Sequence, residues 1–175
     1  MRSRGEQQSI QTHILLPLSR RFLPSFSRTS SSFHTNNRSP KTILPNIREL
    51  HLGSCSIGDR GCVKLADALK AKGLPNMRLL SLAQNQIGDD GAIALSVASK
   101  AQGLDRLTGL YLGRNQIGDR GGAALADALE IHLEGPSLPL LNHLHLFGNA
   151  MSSVGKGVLQ AAAKGRAMAN LDLGD

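Results

Sequence analysis

One phrase of seven residues occurs three times in this chain, and each copy begins 30 residues after the one before it. Every copy contains Ile-Gly-Asp, one variable residue and a second glycine. The copies occupy residues 55–61, 85–91 and 115–121, and a looser fourth copy begins at Asn149, 34 residues after the third. Repetition at a fixed period of this length predicts a solenoid, because one unit of strand and helix cannot bury its own apolar face.

Two leucines separated by one residue precede each copy. They predict a short strand, because residues two apart point to the same face of a strand. A fifth frame of the same kind begins at Met168 and contains Leu171 and Leu173. We expect the paired leucines of the first four frames to be buried between a sheet and the helices. They are Leu50, Leu52, Leu80, Leu82, Leu110, Leu112, Leu144 and Leu146.

The chain must turn away from each strand at a residue that recurs in every unit. A buried backbone amide without a partner costs about 1–3 kcal/mol, so a side chain that bonds to the turn backbone is favoured here. The residues at this position are Cys55, Asn85, Asn115 and Asn149. We expect the asparagines to form a structural ladder, one per unit. Cys55 is a weak donor, which the first unit tolerates because it has only one neighbour.

A helix is predicted after each turn, because apolar and small residues recur there with helical spacing. We expect the glycine before each aspartate to adopt unusual backbone angles and the next polar residue to cap the helix. These glycines are Gly58, Gly88 and Gly118, and the capping residues are Asp59, Asp89, Asp119 and Ser153. Gly73, Gly103 and the pair Gly135 and Pro136 are expected to end the first three helices.

Together these elements predict an α/β solenoid of about four units plus the first strand of a fifth. The sheet is parallel and on the concave side, the helices are on the convex side, and each crossover is right-handed. The repeat domain is expected at residues 43–175, with units at about 47–76, 77–106, 107–140, 141–167 and a partial unit at 168–175.

The shared frame, Leu-x-x-Leu-x-Leu-x-x-Asn/Cys-x-Ile-Gly-Asp-x-Gly, resembles the ribonuclease-inhibitor-like class of leucine-rich repeats. That class includes ribonuclease inhibitor, the repeat arrays of NOD-like receptors and the activators of the Ran GTPase. The resemblance implies a non-catalytic scaffold or sensor that binds a protein through its concave sheet. Two alternatives remain open, a GTPase-activating protein of the Ran-activator type and the sensing arm of a NOD-like receptor.

Residues 1–42 differ in composition from the repeats. They contain seven of the 20 basic residues and one of the 13 acidic residues, with dense serine. This composition is typical both of an organellar transit peptide and of a disordered leader. We therefore expect a cytoplasmic protein, or a mitochondrial or plastid one if the leader is a transit peptide. Because the repeats have no basic stripe and no long apolar run, we expect neither nucleic-acid nor membrane binding, and a monomer.

The predicted binding surface consists of strand residues that point away from the core, with Arg114 beside them. Exposed aromatic and aliphatic groups on a rigid sheet are typical of the centre of a protein interface. The candidate residues are His51, Leu79, Ser81, Tyr111, Arg114, His143, His145 and Phe147.

Other chemistry is poorly supported by the sequence. His143 and His145 form only a pair of possible metal ligands, and the two cysteines occupy repeat positions, Cys55 in the ladder and Cys62 in a helix core. No grouping of nucleophile and base is evident. We therefore expect no catalytic residues, metal or cofactor.

Overall fold

The computed structural model describes residues 46–132, 135–166 and 168–174, so the predicted leader lies outside the described residues. Five short strands form one parallel sheet, in which they lie side by side in chain order. Their bounds are Glu49–His51 (β1), Leu79–Ser81 (β2), Gly109–Tyr111 (β3), His143–His145 (β6) and Asn170–Asp172 (β7). The register pairs equivalent residues of neighbouring units, as the repeat spacing predicts.

One helix follows each of the first four strands of this sheet, and the helices of neighbouring units pack on one another. The helices are Asp59–Lys70 (α1), Asp89–Lys100 (α2), Asp119–Leu129 (α3) and Ser153–Lys164 (α4). The predicted α/β solenoid of about four units is therefore confirmed, with the beginning of a fifth unit in β7.

The core lies between the sheet and the helices. Six of the eight predicted leucines are buried there: Leu80, Leu82, Leu110, Leu112, Leu144 and Leu146. The prediction is wrong for Leu50 and Leu52, which are only half-buried and pack against the edge of the core. Leu50 lies on β1, the outermost strand of the sheet, and Leu52 directly follows it, and no preceding unit covers them within the described ranges.

The asparagine side chains join each turn to the turn of the preceding unit. The Asn85 Oδ1 atom accepts hydrogen bonds from the amides of Cys55 at 3.0 Å and Ile57 at 2.9 Å. Its Nδ2 group donates to the Leu52 carbonyl at 2.8 Å. In the same way, Asn115 accepts from the Ile87 amide and donates to the Leu82 carbonyl, and Asn149 accepts from the Ile117 amide and donates to the Leu112 carbonyl. Cys55 instead donates to the carbonyl of Gly53 in its own unit.

The aspartates do not cap their own helices, so that prediction is wrong. Gly58, Gly88 and Gly118 occupy the N-cap positions of α1, α2 and α3, with ordinary φ angles of −92°, −98° and −95°. In α4 the N-cap is Ser152 and not Ser153, and the Ser152 hydroxyl accepts a hydrogen bond from the Val154 amide.

Each aspartate instead bonds to the first turn of the next helix. The Asp59 carboxylate accepts from the amides of Gly88 at 2.7 Å and Gly91 at 2.9 Å. Asp89 makes the same two bonds to the following unit, and Asp119 accepts from the amide and hydroxyl of Ser152. We call this set of contacts the aspartate clasp. It satisfies helix amides that have no partner within their own helix.

The clasp explains the second glycine of the second and third copies of the phrase. A Cβ atom on Gly91 would lie 2.8 Å from an Asp59 carboxylate oxygen, and one on Gly121 would lie 2.7 Å from Asp89. A side chain would therefore displace the carboxylate. In these two copies the second glycine provides room for the carboxylate of the preceding unit. No glycine of the repeated phrase has a positive φ angle.

The ends of the helices also differ from the prediction. Lys72 and Gln102, with φ angles of 55° and 58°, adopt the left-handed conformation after α1 and α2, one residue before the predicted glycines. A Cβ atom on Gly103 would lie 2.6 Å from the Leu69 carbonyl oxygen, so glycine is needed for close approach. α3 ends at Leu129, well before Gly135.

The longer third connection forms a two-stranded antiparallel ribbon, Ile131–His132 (β4) and Gly135–Pro136 (β5). The half-buried guanidinium of Arg166 donates to the carbonyls of Leu129 and Leu138, on either side of the ribbon. Burial lowers the pKa of Arg166 from its ordinary value. The end of α4 thus holds the ends of this connection together.

Candidate functional site

The side chains that alternate with the core leucines lie on the sheet face opposite the helices. We call this surface the open face. It consists of Glu49, His51, Gly53, Leu79, Ser81, Ala83, Gly109, Tyr111, Gly113, His143, His145, Phe147, Asn170 and Asp172. Because the register is continuous, equivalent residues form straight rows across the strands. One row contains His51, Ser81, Tyr111, His145 and Asp172.

Two neighbouring strands bring Tyr111 and His145 into a stacked pair. Their ring centroids are 4.7 Å apart and their planes differ by 19°. The Nδ1 atom of His145 lies 3.4 Å from the Asp172 carboxylate on the next strand. The imidazole is therefore held between an aromatic ring and a carboxylate, and both contacts restrict its orientation.

Both large aromatic rings of the open face lie directly over glycine. A Cβ atom on Gly109 would be 3.0 Å from the Tyr111 ring, and one on Gly113 would be 2.7 Å from the Phe147 ring. The Leu79 side chain lies at ordinary contact distance from the same position of Gly109. These close approaches require glycine, and they hold the rings against the sheet in a fixed position.

Arg114 lies beside the rings at the end of β3. Its backbone is in the left-handed region, with a φ angle of 56°, and its amide donates to the Phe147 carbonyl at 2.7 Å. The guanidinium carbon is 5.5 Å from the centroid of the Phe147 ring, which is within the range of a cation–π contact. We call Tyr111, His145, Phe147 and Arg114 the aromatic cluster.

The structure brings only some of the predicted residues together. Leu79 borders the aromatic cluster through Gly109, and Ser81 lies beside Tyr111 in the next strand. His51 lies two strands away from Tyr111, and its ring is 3.4 Å from the Glu49 carboxylate. His143 is exposed and pairs in register with Gly109.

Sequence reasoning missed Asp172, which lies at the same register position as His145. The fifth leucine frame contains the signal that could have found it, since Leu171 and Leu173 place Asp172 on the open face. It was missed because the fifth frame is only one strand long in this sequence.

No group of three His, Cys, Asp or Glu side chains within the described ranges is arranged to hold a metal ion. Cys62 is buried, and this burial, together with the Asp59 carboxylate, raises the pKa of its thiol to about 12. A thiol with such a pKa is protonated at neutral pH and is a poor nucleophile. Among the same residues, no helix has the length and apolar character needed to cross a membrane.

The family comparison agrees with this architecture. The model of the family described as Leucine Rich repeat matches residues 44–66, 73–96 and 107–126, which include the first three strands and most of the first three helices. The fold is a leucine-rich-repeat solenoid. A comparison with curated proteins finds no match. Leucine-rich repeats generally mediate protein–protein interaction and are typically non-enzymatic.

Proposed function

We propose that this leucine-rich-repeat solenoid is a non-catalytic interaction module that binds another protein through its open face, centred on the aromatic cluster. The observation that carries the proposal is the stack of Tyr111 on His145, on the side of the sheet away from the core. The leucines of the same strands already fill the core, so these rings add little to it.

The fixed geometry of the aromatic cluster supports this proposal. Side chains that are already ordered lose little conformational entropy when a partner binds. Tyr111 is restrained by His145 and Gly109, and Phe147 by Arg114 and Gly113. Tyrosine and arginine are also enriched among residues that dominate binding energy. The open face therefore presents a rigid aromatic centre within a more polar surround.

The test is quantitative affinity capture with the full chain and a double variant, Tyr111→Ala with Phe147→Ala. We expect the native chain to capture a defined set of proteins, and the double variant to bind them at least about thirtyfold more weakly. Aromatic anchors commonly contribute 2 kcal/mol or more to binding. The matched control is Val97→Ala with Val154→Ala, which removes two apolar side chains exposed on helices.

Circular dichroism must first show that both double variants remain folded. A folded Tyr111→Ala, Phe147→Ala variant that captures every protein as well as the native chain would contradict binding through the open face.

A further inference from the structure

The charged groups on and beside the open face differ in whether they lie near a group that can carry the opposite charge. Asp172 lies beside His145, and Glu49 lies beside His51. Arg114 is exposed and pairs with no carboxylate among the described residues, and its side chain instead lies over the Phe147 ring. The aromatic cluster therefore contains one strong cation whose hydrogen-bonding groups are available to a partner.

A guanidinium held over an aromatic ring is suited to binding a carboxylate. Arginine remains charged at any physiological pH, and its planar set of donors matches two carboxylate oxygens. Contact with the Phe147 ring and the fixed backbone at Arg114 limit the conformations that must be lost on binding. The same ring presents an apolar surface directly beside the charge.

We infer that the partner supplies an Asp or Glu side chain that pairs with Arg114, next to an aromatic or aliphatic side chain that packs on Tyr111 and Phe147. This inference rests on the proposed function and specifies the chemistry of the partner. In an extended segment, the two partner residues lie within about four positions of each other, because the three residues from Tyr111 to Arg114 span at most about 10 Å of backbone.

The charge distribution favours an acidic peptide over the phosphates of a nucleic acid. Residues 43–175 contain 13 basic and 12 acidic residues, so the repeat domain has almost no net charge. Nucleic-acid backbones are bound by several cations acting together. Arg114 is the one arginine or lysine side chain of the aromatic cluster, and the residues of the open face include none, which suits a single carboxylate.

The test selects a random peptide library on the immobilised full chain and measures the affinity of the enriched peptides. We expect these peptides to contain Asp or Glu close to an aromatic or aliphatic residue. Arg114→Ala should weaken binding by about tenfold or more, the loss typical of a charged hydrogen bond. Arg60→Ala is the matched control, because it removes an equal charge from an exposed position in α1.

Replacing the acidic peptide residue with its amide should weaken binding to the native chain but not to Arg114→Ala, because the pair is already broken in that variant.

Peptides that require Tyr111 but tolerate both Arg114→Ala and the amide substitution would overturn this inference and leave the proposed function intact. Failure to select any peptide sensitive to Tyr111→Ala would overturn both. Tighter binding of single-stranded RNA than of any acidic peptide, lost in Arg114→Ala, would identify phosphate as the ligand and overturn the inference.

Discussion

At the scale of single residues, the aspartate of the repeated phrase forms its hydrogen bonds with the next unit and not with its own helix. Asp59 and its equivalents accept hydrogen bonds from amides 29 and 32 residues further along the chain. Local capping rules consider only the next three residues, so they place the side chain on the wrong helix. The period of the repeat predicts where each aspartate lies in its unit, but it does not predict that the carboxylate bonds to the following unit.

Asp119 provides a pH-dependent test of the aspartate clasp. Hydrogen bonds from the hydroxyl and amide of Ser152 lower the pKa of Asp119 below its ordinary value of 3.8. Because the folded pKa is the lower one, the clasp stabilises the protein fully above the unfolded pKa, and this contribution is lost as pH falls through the folded pKa. Asp119→Asn should therefore lower the melting temperature at neutral pH, and the difference from the native chain should shrink as the pH falls below 3.8 and through the lower folded pKa.

The control is Asp105→Asn, which changes the charge equally at an exposed loop residue outside the clasp. If the melting-temperature difference between Asp119→Asn and the native chain stays constant from neutral to acidic pH, the charge of the Asp119 carboxylate does not contribute to the stability of the folded protein.

At the scale of strands and helices, burial depends on whether a unit has neighbours on both sides. Leu112 lies on the central part of the sheet and is fully buried, whereas Leu52 occupies the same repeat position beside the edge strand and is half-buried. Leu112→Ala should lower the free energy of unfolding by about 2–5 kcal/mol, because it leaves a cavity between sheet and helices.

Leu52→Ala is the matched comparison and should cost clearly less, since solvent already reaches that side chain. Chemical denaturation of the two variants measures both losses. Equal losses would show that the first unit is as well covered as the third.

Much of this architecture could be predicted from leucine spacing alone, because alternation and period determine which face of a strand is buried. The same spacing placed Tyr111 and His145 on the open face, but it contains no information about side-chain torsions, so their stacking could not be predicted. The ribbon of β4 and β5 was missed because it is short and interrupts the period. Sequence analysis thus predicts the open face well and its internal contacts poorly.

At the scale of the whole molecule, two sets of side chains join the units in opposite directions. The asparagines reach back to the preceding turn, and the aspartates reach forward to the following helix. Every internal unit is therefore bonded to both neighbours by buried or half-buried polar groups. Such coupling between adjacent units is what allows a stack of repeats to present one rigid open face.

Amide hydrogen exchange can measure this coupling unit by unit. The Gly91 and Gly121 amides donate to Asp59 and Asp89. Within the described residues, no carboxylate of a preceding unit accepts a hydrogen bond from the equivalent Gly61 amide. We expect Gly61 to exchange fastest of the three. Asp89→Ala should then accelerate exchange at Gly121 and leave Gly91 unchanged, because only the third unit loses its acceptor. Equal acceleration at both glycines would mean that the units open together and that the clasp does not act between individual neighbours.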